Sequence, residues 1–395
     1  MRLVNVLKPT HICNLNCDYC YNDDERQPIM TVDTLRRTIE QTFEYARSTK
    51  GFTGVEFVWH GGEPLVAGLP YFEAAMRFQE ELANGLACSN VIQTNGLLLN
   101  DAWTGFFKSN GFSVSVSLDG TQEMHDAYRK DHAGKGSFAK VLKAIELLRK
   151  GGIEPGVVLV ATKAMIGKAN EIYRFLVDNA LPFQIVTLTK SGNARDKYSE
   201  MALSQAEYAE LWIALFDQWF AGNPGYVRSH EFENRLSALM SGMPRGCEAL
   251  ANCADTNISV DPVGDVYTCG TLSGTASVKY GNIVEQDLVS LMVSPTAIHF
   301  RTRVIDPQCA SCEWQHVCHG GCMSRAFKMY GTIDRRDNKC EALGKTWSHM
   351  AKQLKLRELD VAPPHPNNRY EEFALDPSLK LQRPGLRGVI PILAR

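Results

Sequence analysis

The sequence predicts a parallel α/β fold that gives way, near residue 245, to a cysteine-rich extension. Three observations carry this reading. Short β-rich runs alternate with amphipathic helical patterns before residue 245; most of those runs lead into polar or glycine-containing loops; and eight cysteines lie between Cys247 and Cys340. Six β-α units in series imply a parallel sheet with right-handed crossovers, either an open doubly wound sheet or a barrel. In such folds the carboxyl end of the sheet carries the chemistry.

The expected strands are Arg2–Leu7, Val55–Trp59, Asn90–Thr94, Ser113–Leu118, Gly156–Ala161 and Phe183–Leu188. Between them, Leu35, Ile39, Phe43 and Ala46 share one helical face behind a Thr31 cap, and Phe138, Val141, Leu142, Ile145 and Leu148 repeat at helical spacing after Ser137. Ser204 and Glu207 open a further helix as a capping box, with Tyr208, Leu211, Leu215 and Trp219 behind them. These patterns divide the chain into a β/α unit (1–225), a connecting helix (226–246), a cysteine-rich domain (247–345) and a C-terminal part (346–395). The cysteine-rich domain carries short strands at Ile258–Val260 and Asp265–Thr268. The last part holds a helix of roughly Lys345–Leu359 and a proline-rich tail from Val361, expected to be extended over a surface or partly disordered.

Composition excludes several classes. In 395 residues, 42 Lys and Arg stand against 44 Asp and Glu, so the net charge of −2 gives no electrostatic reason to expect nucleic-acid or anionic-membrane binding. No apolar run reaches membrane-spanning length, and Met1–Thr10 has no secretory character. A chain this long buries its own core without disulfides, so twelve cysteines in a reducing cytoplasm point to metal or cluster ligation.

The cysteines fall as three, eight and one. Cys13, Cys17 and Cys20 form C-x3-C-x2-C on the loop after the first strand, with Tyr19 inside it. Three thiolates can hold three irons of a cubane and leave the fourth iron open to an outside ligand; the alternative is a zinc loop lacking one ligand. Directly after the second strand lies Trp59-His60-Gly61-Gly62-Glu63-Pro64. In the second group, Cys247 and Cys253 precede Cys269, with Gly264 between the last two, and Cys309-x2-Cys312-x5-Cys318-x3-Cys322 leads to Cys340. Eight thiolates close two four-iron clusters with no open iron, and paired zinc knuckles are the alternative.

Together, the C-x3-C-x2-C loop and the GGEP turn resemble the radical S-adenosylmethionine (SAM) superfamily, and the later cysteines with their glycine resemble its SPASM extension. The resemblance covers about residues 3 to 345. It implies a partial (β/α)6 TIM barrel, SAM chelated to the open iron of a first [4Fe-4S] cluster, and two closed auxiliary [4Fe-4S] clusters. By that likeness Gly61, Gly62, Glu63 and Pro64 hold the SAM amine. Tyr19, His60, Asn95, Ser117 and Arg129 match further positions of the SAM site, with Ser117 and Arg129 resembling its ribose and carboxylate contacts. Resemblance to the anaerobic sulfatase-maturing enzymes assigns Cys247, Cys253, Cys269 and Cys322 to the first auxiliary cluster and Cys309, Cys312, Cys318 and Cys340 to the second.

Closed clusters suit electron transfer, which favours a net two-electron oxidation. In the sulfatase-maturing enzymes an acidic residue, serving as base, follows the third ligand of the first auxiliary cluster; here Gly270 follows Cys269. That departure favours a maturase of ribosomally made (RiPP) peptides, installing an intramolecular crosslink in a precursor peptide and fed by an external donor such as flavodoxin or ferredoxin. The alternatives are sulfatase maturation, dehydrogenation of a small alcohol or sugar, and a non-enzymatic zinc or cluster scaffold. Tyr21, Lys190 and Asp261 are the candidate bases, and Cys88, just before the third strand, reads as a buried small hydrophobe.

Overall fold

The computed structural model describes residues 1–22, 28–250 and 253–365. Six parallel strands, β1 (Arg2–Leu7), β2 (Gly54–Trp59), β3 (Ala87–Thr94), β4 (Ser113–Ser117), β5 (Gly156–Ala161) and β6 (Phe183–Thr187), lie side by side in chain order. The sheet does not end at β1. After the cysteine-rich region begins, β7 (Asn257–Val260) pairs parallel with β1, and β8 (Asp265–Tyr267) and β9 (Gly281–Asn282) follow antiparallel. One nine-stranded sheet, open at β6 and β9, therefore runs through both halves of the chain.

The helices of the first half are α1 (Val32–Ser48), α2 (Leu69–Leu82), α3 (Asp101–Ser109), α4 (Gln122–Tyr128), α5 (Phe138–Lys150), α6 (Ala169–Asp178), α7 (Ala194–Met201), α8 (Gln205–Ala221) and α9 (His230–Ser241). The expected caps form: the Thr31 side chain accepts from the Thr34 N–H, and Ser204 and Glu207 complete a reciprocal box. The connecting helix is α9, and the residues before it join the free edge of β6, where the Phe183 N–H donates to the Arg228 carbonyl (2.9 Å).

In the second half, α10 (Leu288–Leu291), α11 (Pro295–Arg301), α12 (Gln315–Cys318) and α13 (Met323–Tyr330) are short, and α14 (Cys340–Lys355) starts five residues before its expected position, at the last cysteine itself. From the tail, the Ala362 and His365 N–H groups donate to Leu239 and Gly242 carbonyls at the end of α9; the expectation for 366–395 lies outside the described residues.

The sheet's outward face is apolar. Leu3, Leu7, Val55, Phe57 and Trp59 are fully buried, and Trp59 packs on Phe72 of α2 with ring centroids 4.9 Å apart. Each such side chain contributes roughly 1.5–3 kcal/mol of burial. Strand alternation turns Val4, Val6 and Lys8 to the opposite, inner face. The register places Leu7 beside both Trp59 and Val260, so Lys8, His60 and Asp261 stand in one row at the carboxyl rim. Cys88 departs from expectation: it lies within β3 and is exposed, its Sγ 3.4 Å from Gln79 Oε1.

Candidate active site

The first cysteine loop sits on the carboxyl rim and is pinned mainly by backbone. Asn16 and Asp18 N–H groups donate to the carbonyls of Lys130 (2.8 Å) and Tyr128 (2.9 Å), while the Asn193 N–H donates to the Cys20 carbonyl (2.9 Å). The Asn193 side chain also donates to the Cys17 carbonyl and to Asn16 Oδ1. Beneath the loop, Leu15 and Tyr19 pack with Leu188, Ala194 and Met201 in a small apolar cluster of their own. Burial pushes the Cys13 thiol up to about 12 and the Cys17 thiol up to about 11, the latter against the pull of the Arg129 guanidinium.

The GGEP turn docks against the start of this loop. Gly62 and Glu63 N–H groups donate to Thr10 and Ile12 carbonyls, each at 2.9 Å. A Cβ on Gly61 would strike the Thr10 carbonyl oxygen, and one on Gly62 those of His11 and Ile12, so only glycine permits the approach. Pro64 opens a single 3-10 turn, Pro64–Ala67. The Glu63 carboxylate is fully buried and accepts from Thr94 Oγ1 (2.7 Å), Asn95 N (2.7 Å) and Leu65 N (3.1 Å). Burial nevertheless raises it to about 7, because three hydrogen bonds do not replace its lost hydration. Asn95 ties this turn to the cysteine loop, donating to Asn14 Oδ1 (2.6 Å) with its amide 3.6 Å from Cys13 Sγ.

The other residues expected at the SAM site also gather at this rim. Ser117 ends β4 and accepts from Gln93 Nε2 (2.9 Å). Arg129 is buried and donates from Nη1 to the Tyr19 hydroxyl (2.9 Å). Tyr19 in turn donates to the buried Asp119, whose other oxygen accepts from the Val160 N–H (2.8 Å). Tyr19, Asp119 and Arg129 thus lock the cysteine loop to β4 and β5.

The eight later cysteines form two groups. The Cys253 thiol is driven well above its usual value by burial and then by Cys247, Cys322 and Cys269. Cys309 is pushed up to about 11 by burial and by Cys340 and Cys312 among its neighbours, and Cys318 to about 12 by burial, with Cys340 and Cys309 contributing. Proximity therefore sorts 247/253/269/322 from 309/312/318/340, and Cys322 belongs spatially with residues far before it in sequence. Among the described residues, no three His, Cys, Asp or Glu side chains close on one point as a single ion with bonds of about 2.3 Å to sulfur requires.

Buried charges interlock the two groups. Asp337 accepts from the Cys322 N–H (2.8 Å) and from Arg325, and its own carbonyl accepts from the Cys340 N–H (3.0 Å). Arg325 and Arg235 both pair with Glu248, the neighbour of Cys247 (2.9 and 3.0 Å). Fully buried Arg303 donates to three backbone carbonyls, Ile333, Gly321 and Arg335, at 2.6 to 2.9 Å.

The candidate bases separate. Lys190 is exposed on the loop after β6. The Asp261 carboxylate is raised to about 6 by burial and accepts from Val263 and Asp265 N–H groups (3.1 and 2.9 Å), holding its own β7–β8 turn. Tyr21 is half-buried between the two cysteine regions, its hydroxyl 3.4 Å from His60 Nδ1, which already accepts from the Gly61 N–H (2.8 Å). Burial and Lys8 lower His60 to about 4, so the ring is neutral. Sequence reading missed two residues here. Lys8 donates to Asn22 Oδ1 (3.0 Å), and Asn22 Nδ2 donates to the Gly61 carbonyl (2.7 Å). Burial lowers Lys8 to about 8, opposed by Cys269 and Cys20. The available signal was the inward period of Val4 and Val6, which Lys8 continues.

Residues 7–168 match the radical SAM superfamily, and residues 247–313 match SPASM, an iron-sulfur cluster-binding domain. The serine-type anaerobic sulfatase-maturating enzyme of Bacteroides thetaiotaomicron is 29% identical, over 94% of each chain. That of Klebsiella aerogenes is 31% identical, over 78% of this chain and 76% of its own. The solved structure of native anSMEcpe with bound AdoMet and Cp18Cys peptide superposes with a TM-score of 0.80 at 25% identity, covering 90% of this chain and 99% of that one. Streptococcus suis SuiB, solved with its precursor peptide SuiA, shares the fold at a TM-score of 0.63 and 18% identity, over 86% of this chain and 76% of that one. The chain belongs to the radical SAM superfamily and carries a SPASM domain, in the same family as the anaerobic sulfatase-maturating enzymes.

Proposed function

We propose that this radical SAM enzyme oxidises a side chain of a peptide or protein substrate by two electrons, and that the substrate class is that of its sulfatase-maturating relatives, a serine or cysteine side chain. The observation that carries the reading is the meeting of two cysteine regions across the inner face at Lys8. Its amine donates to Asn22, two residues past Cys20 (3.0 Å), and lies over the Tyr21 ring (5.1 Å to its centroid). Its Cε is 3.6 Å from where a Cβ on Gly270, next to Cys269, would stand. Similarity to serine-type sulfatase-maturating enzymes, over 94% of the chain in one case and 78% in another, supports this substrate class above the crosslinking expectation.

In this reading Cys13, Cys17 and Cys20 hold the SAM-binding cluster, and the groups 247/253/269/322 and 309/312/318/340 hold the auxiliary clusters. The donor sets fit: buried thiols that repel one another need a cationic core to become thiolates. Once bound, SAM and the clusters supply a hydrogen-abstracting radical and sites for the electrons removed. The chain's own part is positional. Gly61 and Gly62 let the turn close on the cysteine loop, and Glu63, raised to about 7, gains from an incoming ammonium that favours its charged form. Asn95, Ser117 and Arg129 provide polar groups along the same rim, while the apolar floor under Leu15 and Tyr19 keeps water from below.

A second reading, intramolecular crosslinking of a precursor peptide, is favoured by one residue. Gly270 brings no acid to the position after Cys269, and a Cβ there would lie 2.9 Å from Val6 Cγ1.

The test is anaerobic reconstitution with SAM, a low-potential reductant and sulfatase-derived peptides bearing serine or cysteine at the target. Expected are 5′-deoxyadenosine and, from the serine peptide, loss of two hydrogens with gain of a hydrazide-reactive aldehyde. The same mass loss without an aldehyde, on a short peptide encoded beside the gene, would replace the first reading with the second. No SAM-dependent 5′-deoxyadenosine from iron-loaded protein would overturn both.

A further inference from the structure

Lys8 has no role in the function proposed above, yet its position is costly. Its side chain is fully buried, and among the described residues it makes no ion pair; its hydrogen bond goes to the neutral amide of Asn22. A buried ammonium without a counter-charge loses several kcal/mol of hydration. Asp261 favours the charged amine less than the sulfurs do, and its carboxylate makes no hydrogen bond to Lys8, accepting instead from the N–H groups of its own turn. The amine lies over the Tyr21 ring, 5.1 Å from its centroid, and the largest charges acting on it are on sulfur. Cys269 and Cys20, from the two cysteine regions, both act on Lys8.

The fold places the ammonium there deliberately in the geometric sense. Lys8 follows the last residue of β1, its N–H donates to the Val260 carbonyl of β7 (2.9 Å), and its side chain continues the inner face of Val4 and Val6. The chain after Cys269 crosses that same face: a Cβ on Gly270 would lie 3.6 Å from Lys8 Cε. Asn22, two residues past Cys20, fixes the amine from the other side and is itself held by the Gly61 carbonyl.

We propose that Lys8 is the shared counter-cation of the SAM-cluster site and the first auxiliary site, a positioning residue that makes the 247/253/269/322 cluster a better electron acceptor. The inference rests on the ligand reading given above. Net charge around an iron-sulfur cluster sets its reduction potential, and a fixed positive charge stabilises the reduced, more negative state. The charges that act most on Lys8 are Cys269, Cys20, Asp261 and Lys328, so the second auxiliary group serves as an internal control.

The experiment uses a parent in which Cys13, Cys17 and Cys20 are replaced by alanine, so that only auxiliary clusters contribute to an EPR-monitored redox titration. Lys8→Met is expected to move the potential of one auxiliary cluster to more negative values and leave the other in place. Lys8→Arg keeps the charge and is expected to stay near the parent. Should Lys8→Met fail to fold, Asn22→Asp neutralises the amine without removing it and is expected to give the same negative shift. In the otherwise native enzyme, Lys8→Met is expected to lose about tenfold in product formation while still cleaving SAM. Unchanged potentials in both Lys8→Met and Asn22→Asp would overturn the proposal, as would Lys8→Arg shifting as far as Lys8→Met. A parent holding fewer than about eight irons would instead remove the ligand reading on which the proposal stands.

Discussion

The two cysteine regions of this chain are held by different means. Three cysteines sit on a loop whose backbone is tied to the segments that follow β4 and β6, at Lys130, Tyr128 and Asn193. The other eight occupy a region where β8 has three residues and α12 four, so the local backbone leaves many carbonyls and N–H groups without regular partners. Buried side chains take their place, chiefly Arg303 on three carbonyls and Asp337 between Cys322 and Cys340. Parallel strand ends therefore shape the first site, whereas a few buried charges, and the clusters proposed there, shape the second.

The most forceful way to break this contrast is Arg303→Met. Three buried carbonyls lose their donor, a destabilisation of roughly 3 kcal/mol or more. The expected outcome is local: auxiliary iron is lost while SAM cleavage at the first site persists, as read by iron analysis beside 5′-deoxyadenosine formation. Equal loss at both sites would mean that the regions are not held independently.

A smaller effect sharpens the barrel side. His125 is buried and neutral, its Nδ1 accepting from the Asp119 N–H (3.3 Å) and its Nε2–H donating to Ser137 Oγ (2.9 Å). Burial, then Arg129, lowers it to about 2. Below its ordinary value of 6.5 the unfolded chain binds a proton that the folded chain refuses, so this contribution is complete above that pH and falls as pH drops below it. The slope from this one group approaches about 1.4 kcal/mol per pH unit. Denaturant midpoints at about pH 7 and about pH 5 are expected to converge in His125→Asn relative to the parent; an unchanged difference would place the acid sensitivity elsewhere.

Most of the first half was legible because its signals are local. The β-rich runs from Arg2 to Phe183 start or end within a few residues of the strands observed, and the Thr31 and Ser204 caps need only a few neighbours to form. The extension of the sheet through β7 to β9 was not legible, since pairing of Val4–Leu7 with Asn257–Val260 spans the whole chain and leaves no periodic trace. The same holds at the site. Cysteine spacing marked the candidate ligands, yet nothing local shows that Asp261 is absorbed by its own turn or that Arg129 reaches Tyr19. Cys88 misled because a small apolar residue beside a strand is usually covered; here it lies near the start of β3, where the strand meets solvent.

The most direct measurement of the central claim is iron and sulfide content, with 5′-deoxyadenosine formation, in the reconstituted wild type and in the Cys13, Cys17 and Cys20 triple alanine variant. One open and two closed clusters predict about twelve irons falling to about eight, auxiliary absorbance intact and SAM cleavage abolished. Retained 5′-deoxyadenosine formation in the triple variant, or iron content unchanged by it, would contradict the account.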